Sequence, residues 1–232
     1  MSAAVRTRIL GIDPGTLRLG YGVIDRVSTS SDVGNLKGFA PPFGPPPATS
    51  PRSLRSASPR PPAMVRGEQS SPAPHATRLV YVECGVISAP SRQPRNQRLL
   101  TIGCGLRELL DELAPDEVAM EQAFYGKNVQ ATLALGEARG MALFVAGDRG
   151  LPVAGYAPAR VKRTIVGHGR ASKSQVGYLV RALLAMRRAP ESDAADALAI
   201  AICHARLGGA NLGPRAGERV CFGSHAPLRT QR

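Results

Sequence analysis

The stretch Arg8-Ile-Leu-Gly-Ile-Asp-Pro-Gly-Thr-Leu-Arg-Leu-Gly-Tyr-Gly-Val-Ile-Asp25 ends an apolar run in a carboxylate and then doubles back. Ile9, Leu10 and Ile12 read as a buried strand, and Pro14-Gly15 forces a turn straight after Asp13. Leu19, Tyr21, Val23 and Ile24, with glycines between them, read as the second strand of a hairpin. A sheet end holds such a carboxylate rigidly, which suits magnesium, an ion that tolerates little departure from octahedral oxygen geometry. Asp is also an ordinary turn residue. Chemistry at Asp13 therefore requires other acids to meet it.

A chain of 232 residues, 43% of them hydrophobic, fits one domain with appendages. Its formal net charge of +13 points to a polyanionic partner. Residues 28–77 and 205–232 contribute +3 and +4 of that charge, leaving +6 on the remainder. Between Arg160 and Arg188 there are eight Lys/Arg and no acid. Such a run is a solvated face unless acids lie beside it, when it becomes a candidate clamp for a phosphate backbone. Cys84, Cys104, Cys203 and Cys221 form no Cys-x-x-Cys pair, which argues against a zinc or disulfide framework and for a reducing compartment. The apolar stretch after Arg6 and Arg8 is broken by Asp13 and is too short for a secretory signal, so a cytoplasmic location is expected.

Residues 28–77, rich in Pro, Ser, Ala, Gly and Arg, are expected to form a disordered insertion. A third strand is expected from Arg78, interrupted at Gly85. Leu99, Leu100, Ile102, Leu106, Leu109, Leu110 and Leu113 recur at helical spacing up to Pro115. Asp116-Glu-Val-Ala-Met-Glu121 reads as a short strand that again finishes in an acid. The loop after it holds Phe124, Tyr125 and Lys127, and loop aromatics beside a basic groove can stack on unpaired bases or simply cap a core.

A helix over 128–147 is expected to bury Val129, Leu133, Met141, Phe144 and Val145, with Gly136 and Gly140 allowing close approach of another backbone. Leu151 to Tyr156 supply a fifth strand. Pro158 suits the first position of a helix bearing Arg160, Lys162 and Arg163. After a glycine-broken loop containing Arg170, Ser172 caps a helix packed through Val176, Leu179, Val180, Leu183 and Leu184. The final helix carries Asp193 and Asp196 three apart on one face, with Leu198, Ile200 and Ile202 buried. The helix dipole alone accounts for Asp193, but it accounts less well for Asp196. A disordered basic tail is expected over 205–232.

Asp13, Glu121, Asp193 and Asp196 each lie at the edge of an apolar element. Gathered together they would repel unless cations sat among them, and two divalent ions would about neutralise them. Paired ions of that kind serve phosphodiester hydrolysis.

Together, Gly11-Ile-Asp-Pro-Gly15, Met120-Glu-Gln-Ala-Phe124, Leu135-Gly-Glu-Ala-Arg-Gly140, Val161-Lys162, Lys173-Ser-Gln-Val176 and Asp193-Ala-Ala-Asp-Ala-Leu-Ala-Ile200 resemble the RuvC-type Holliday junction resolvases. The likeness covers nearly all of residues 8–27 and 78–204. It implies an α/β, RNase H-like fold with a five-stranded mixed sheet flanked by helices, formed by residues 1–27 and 78–204. It implies a homodimer that nicks two like-oriented strands of a four-way DNA junction, with a RuvA–RuvB branch-migration complex as partner. By that resemblance Asp13, Glu121, Asp193 and Asp196 are catalytic and bind Mg2+, two ions per subunit, with Mn2+ as the alternative. Lys162 and Lys173 contact the backbone near the cut, Phe124 stacks at the opened crossover, and Lys127, Arg163 and Arg170 extend the DNA contact.

The insertion and the long tail depart from the family pattern. Gly11-Ile-Asp-Pro-Gly-Thr16 also looks like the first phosphate loop of actin-like ATPases, but no second such loop follows. A junction binder that does not cut would not need all four acids. A related nuclease acting on structured RNA would need the same metal chemistry and stays open.

Overall fold

Alternation along the first strand sets the layers: Ile9 faces one side of the sheet while Leu10 and Ile12 face the other, and all three are fully buried. The computed structural model describes residues 4–29, 78–122 and 128–208. Strand β1 (Ala4–Asp13) pairs antiparallel with β2 (Arg18–Thr29), which pairs antiparallel with β3 (Arg78–Ser88). On its other edge β1 runs parallel to β4 (Glu117–Glu121), and β4 runs parallel to β5 (Val153–Tyr156). The order β3-β2-β1-β4-β5 is the mixed five-stranded sheet expected of an RNase H-like fold.

Helices α1 (Arg95–Leu113) and α2 (Val129–Asp148) cover the Leu10 and Ile12 face. Helices α3 (Pro158–Val166), α4 (Lys173–Leu183) and α5 (Ser192–Arg206) cover the Ile9 face. Several local signals act as the sequence implies. Pro158 opens α3, and α1 stops at Ala114, in the left-handed region just before Pro115. Ser172 and Gln175 form a capping box on α4.

Other expectations need correction. Strand β3 runs through Gly85 without a break; the irregularity lies where Val23 pairs with Glu83 but Ile24 pairs with Tyr81. On α2 the buried face is Ala138, Ala142, Val145 and Ala146, whereas Val129, Leu133 and Phe144 are exposed. Strand β2 reaches Thr29 and α5 reaches Arg206, slightly past the edges assigned to insertion and tail. Residues 30–77 and 209–232 lie outside the described residues.

Helix α5 is seated on glycine. Gly11 and Gly22 are cross-strand partners, and Gly20 lies opposite Asp13. A Cβ built at Gly11 would stand 2.1 Å from the Ala197 carbonyl oxygen, and one at Gly20 would stand 2.2 Å from that of Asp193. At Gly22 it would meet Leu198 Cγ at 2.6 Å. The missing side chains let the backbone of α5 rest on the strands, along the face that repeats at Asp193, Ala197 and Ala201. Farther along α5, buried His204 meets the Tyr156 hydroxyl through Nδ1 at 2.7 Å and Glu117 Oε2 through Nε2 at 2.9 Å.

Replacing Gly11 by Val is predicted to lower unfolding free energy by about 1–3 kcal/mol through overpacking against α5. Urea titration checks this; an unchanged midpoint would mean that the helix does not depend on the glycine seat.

Candidate functional site

Asp13 closes β1 on the α5 side of the sheet, two residues beyond Gly11, and Glu121 closes the parallel strand β4 on the same side as Ala119. The first turn of α5 brings Asp193 over Gly20, directly across from Asp13 in the ladder. Three elements thus deliver acids to one end of the sheet.

The carboxylates feel one another. Burial, then the charges of Glu121, Asp196 and Asp193, push the Asp13 carboxyl from its ordinary 3.8 up to about 7, against a lowering influence from Lys173. Glu121 is also raised, by burial and then by Asp196, while Lys173 and Lys162 oppose the rise. Lys173 Nζ donates to Asp196 Oδ2 at 2.8 Å, a bond that raises the lysine's own pKa and keeps it charged. Arg18 Nε donates to Asp193 Oδ2 at 2.8 Å, and its terminal nitrogen pairs with Glu191 at 2.5 Å.

Proximity stops short of chelation: among the described residues no group of three or more acidic, His or Cys side chains is arranged to hold a metal ion. Two of the four acids have cations instead, Asp193 through Arg18 and Asp196 through Lys173. The donor set nonetheless fits a hard divalent cation, since it consists of carboxylate oxygens and its least hydrated member, Asp13, is the one most burdened by like charge. A dication would relieve that burden.

The structure brings Lys162 and Lys173 within electrostatic reach of Glu121. Arg163 and Arg170 are exposed, on α3 and on the loop before α4, and neither contributes to the shifts at Asp13 or Glu121. Phe124 and Lys127 lie outside the described residues. Two partners of the acids escaped the sequence reading. Arg18 is the first, and Arg139 on α2 is the second, donating from Nη1 to the Glu121 backbone carbonyl at 3.0 Å. The only cue to either was a basic residue inside an otherwise apolar or glycine-rich motif.

The family model for crossover junction endodeoxyribonuclease RuvC matches residues 72–204. The chain is 42% identical over 199 residues to the crossover junction endodeoxyribonuclease RuvC of Halorhodospira halophila, spanning 86% of this chain and 90% of that protein. The chain belongs to the RuvC family. A second RuvC relative, from Chloroflexus aggregans, is 36% identical over 85% of this chain and 92% of its own length. Among solved structures, T. thermophilus RuvC in complex with a Holliday junction substrate superimposes with a TM-score of 0.62 at 27% identity, covering 89% of this chain and 99% of that one. RuvC proteins are metal-dependent endonucleases, in keeping with the carboxylate donor set. Asp13 and its hairpin lie before the matched range, and β1 joins them to it through its ladder with β4. No helix among the described residues is long and apolar enough to cross a membrane.

A raised carboxyl pKa makes a signed prediction. The stabilising contribution of protonated Asp13 is fully present below about pH 4 and is lost as pH rises through about 7. In metal-free buffer, Asp13→Asn is expected to flatten that decline and to be more stable at pH 8, by on the order of 2 kcal/mol after allowance for partial hydration. Parallel urea titrations of both proteins across this range decide it, identical slopes counting against a strained carboxylate.

Proposed function

We propose that the chain resolves four-way DNA junctions by metal-dependent phosphodiester hydrolysis, with residues 1–27 and 78–204 as its nuclease domain. Asp13, Glu121, Asp193 and Asp196 would hold the ions, magnesium for preference and two per subunit. The observation that carries this reading is the Asp13 carboxyl, largely buried among three other acids at a strand end, with Lys173 acting on it and Lys162 on Glu121. Bound ions would supply the Lewis acidity for attack on the phosphodiester.

The chain's own residues do the positioning. The glycine seat fixes the height of Asp193, and Arg18 fixes its direction. Arg139 pins the carbonyl of Glu121 where the strand gives way to the loop. Lys173 stays protonated beside Asp196 and has its ammonium ready for a scissile phosphate, with Lys162 on α3 acting on Glu121. Substrate choice follows from likeness to the T. thermophilus protein, whose structure contains a Holliday junction.

Nicking two like-oriented strands requires two such sites, and α2 offers a surface for pairing. Val129, Leu133 and Phe144 are 68%, 59% and 66% exposed. Added Cβ atoms at Gly136 and Gly140 would meet nothing within 4 Å. An apolar face with small residues at its centre suits a second copy of the same helix across a two-fold axis. The family likeness adds a RuvA–RuvB complex as the assembly in which the dimer would act.

The central test is purified protein on a synthetic mobile junction, with and without magnesium, beside a plain duplex and an RNA hairpin. Paired symmetric nicks confined to the junction are expected. Asp13→Asn should bind the junction with wild-type affinity and cut at least about 100-fold more slowly; metal-dependent cutting at the normal rate would remove Asp13 from the site. Leu133→Glu combined with Phe144→Glu should sediment as a monomer, and a persistent dimer would place the interface elsewhere.

A further inference from the structure

Of the eight cations between Arg160 and Arg188, only Lys162 and Lys173 act on Glu121, and the others call for a separate explanation. Helix α4 starts at Lys173, beside Asp196, and over its 11 residues leads roughly 15 Å away from that acid. Tyr178 stands on its outer face, 71% exposed. At the end of the helix Arg181 donates from Nε to the Met186 carbonyl at 3.2 Å and from Nη2 to that of Arg187 at 3.3 Å. Ala185 takes up the left-handed conformation, with φ 50°, which turns the chain back. Tyr178, Arg181, Ala182, Ala185, Met186 and Arg187 line the resulting shallow cleft of about 470 Å3.

This cleft is cationic and uncompensated. Among the described residues Arg181, Arg187 and Arg188 take part in no ion pair, whereas on the α1 and α2 side Arg149 pairs with Asp111, Arg95 with Glu137 and Arg107 with Asp148. Arg181 still has N–H groups to spare after its two backbone bonds, and it is held in place by them. An exposed phenol ring lining one cleft with the tethered Arg181 guanidinium and the exposed Arg187 has the character of a backbone-tracking surface, where the ring packs on sugar and the cations meet phosphate.

We propose that the outer face of α4 and the turn after it form a second DNA-binding surface, which grips the sugar-phosphate backbone of a duplex arm away from the cut. This rests on the junction-nuclease reading and extends its substrate contact outward from the acids. At about 3.4 Å per base pair, roughly 15 Å places the contact about four to five base pairs along the arm.

The test compares wild type with Tyr178→Ala/Arg187→Gln, whose side chains are exposed and outside the core. Junction affinity is measured by fluorescence anisotropy over a range of salt, on an unmodified junction and on one carrying uncharged methylphosphonate linkages about four to five base pairs from the cut. The double variant is expected to bind the unmodified junction about tenfold more weakly, with a salt slope shallower by about 1, and to cut at the wild-type rate when saturated. Methylphosphonates should weaken wild type by a similar factor and leave the variant unaffected. Wild-type affinity in the variant, or an equal loss for both proteins on the modified junction, overturns the proposal and leaves the cleft to some other acidic partner. Failure of wild type to bind or cut the unmodified junction instead defeats the nuclease reading on which it rests.

Discussion

Electrostatic repulsion at one sheet end is the constraint around which this molecule is built. Asp13 is largely withdrawn from water and faces three further carboxylates, an arrangement that works against the folded state at neutral pH. Nothing in ordinary core packing calls for it. The protein tolerates the repulsion because the elements bearing the acids are fixed by interactions that do not involve them. β1 and β4 are central strands with pairing on both sides, and α5 is buried along most of its length.

Helix α5 shows how firm that fixing is. Near its start the backbone rests on Gly11, Gly20 and Gly22, and near its end His204 joins Tyr156 to Glu117 within the core. A helix held at both ends by contacts of different kinds has little freedom to slide or roll, so the acids of its first turn keep their register with Asp13. Arg18 then holds Asp193 and the neighbouring Glu191 together.

Much of this could be read from the residues. A carboxylate after an apolar run and before Pro-Gly gave the end of β1, and the Ser172 and Pro158 signals gave the starts of two helices, because each depends on neighbours in sequence. The buried face of α2 could not be read in the same way. Ala and Gly occur all round that helix, so periodicity does not distinguish the side that meets α1 from the side left open. Nor could Arg18 and Arg139 be assigned to their acids, since their partners lie 175 and 18 positions away and the pairing arises only once the sheet and helices are assembled. The same holds for the glycine seat, which is a relation between two strands and a helix nearly two hundred residues apart. Co-localisation of the acids was inferred from their shared placement at element ends; how far they would turn to Arg18 and Lys173 was invisible, because side-chain rotation leaves no trace in spacing.

The sheet register also explains where the chain has been free to lengthen. Asp13 is level with Gly20, while at the opposite end of the ladder Ala4 is level with Thr29, and Val27 is paired with Arg78. The exit to residue 30 and the return before residue 78 are therefore neighbours, about 30 Å of strand from the acids. Sequence added there leaves and rejoins through the same doorway and alters no rung of the ladder. This edge is a natural graft point, where a tag, a tether or a foreign domain could be spliced into the chain without touching its chemistry.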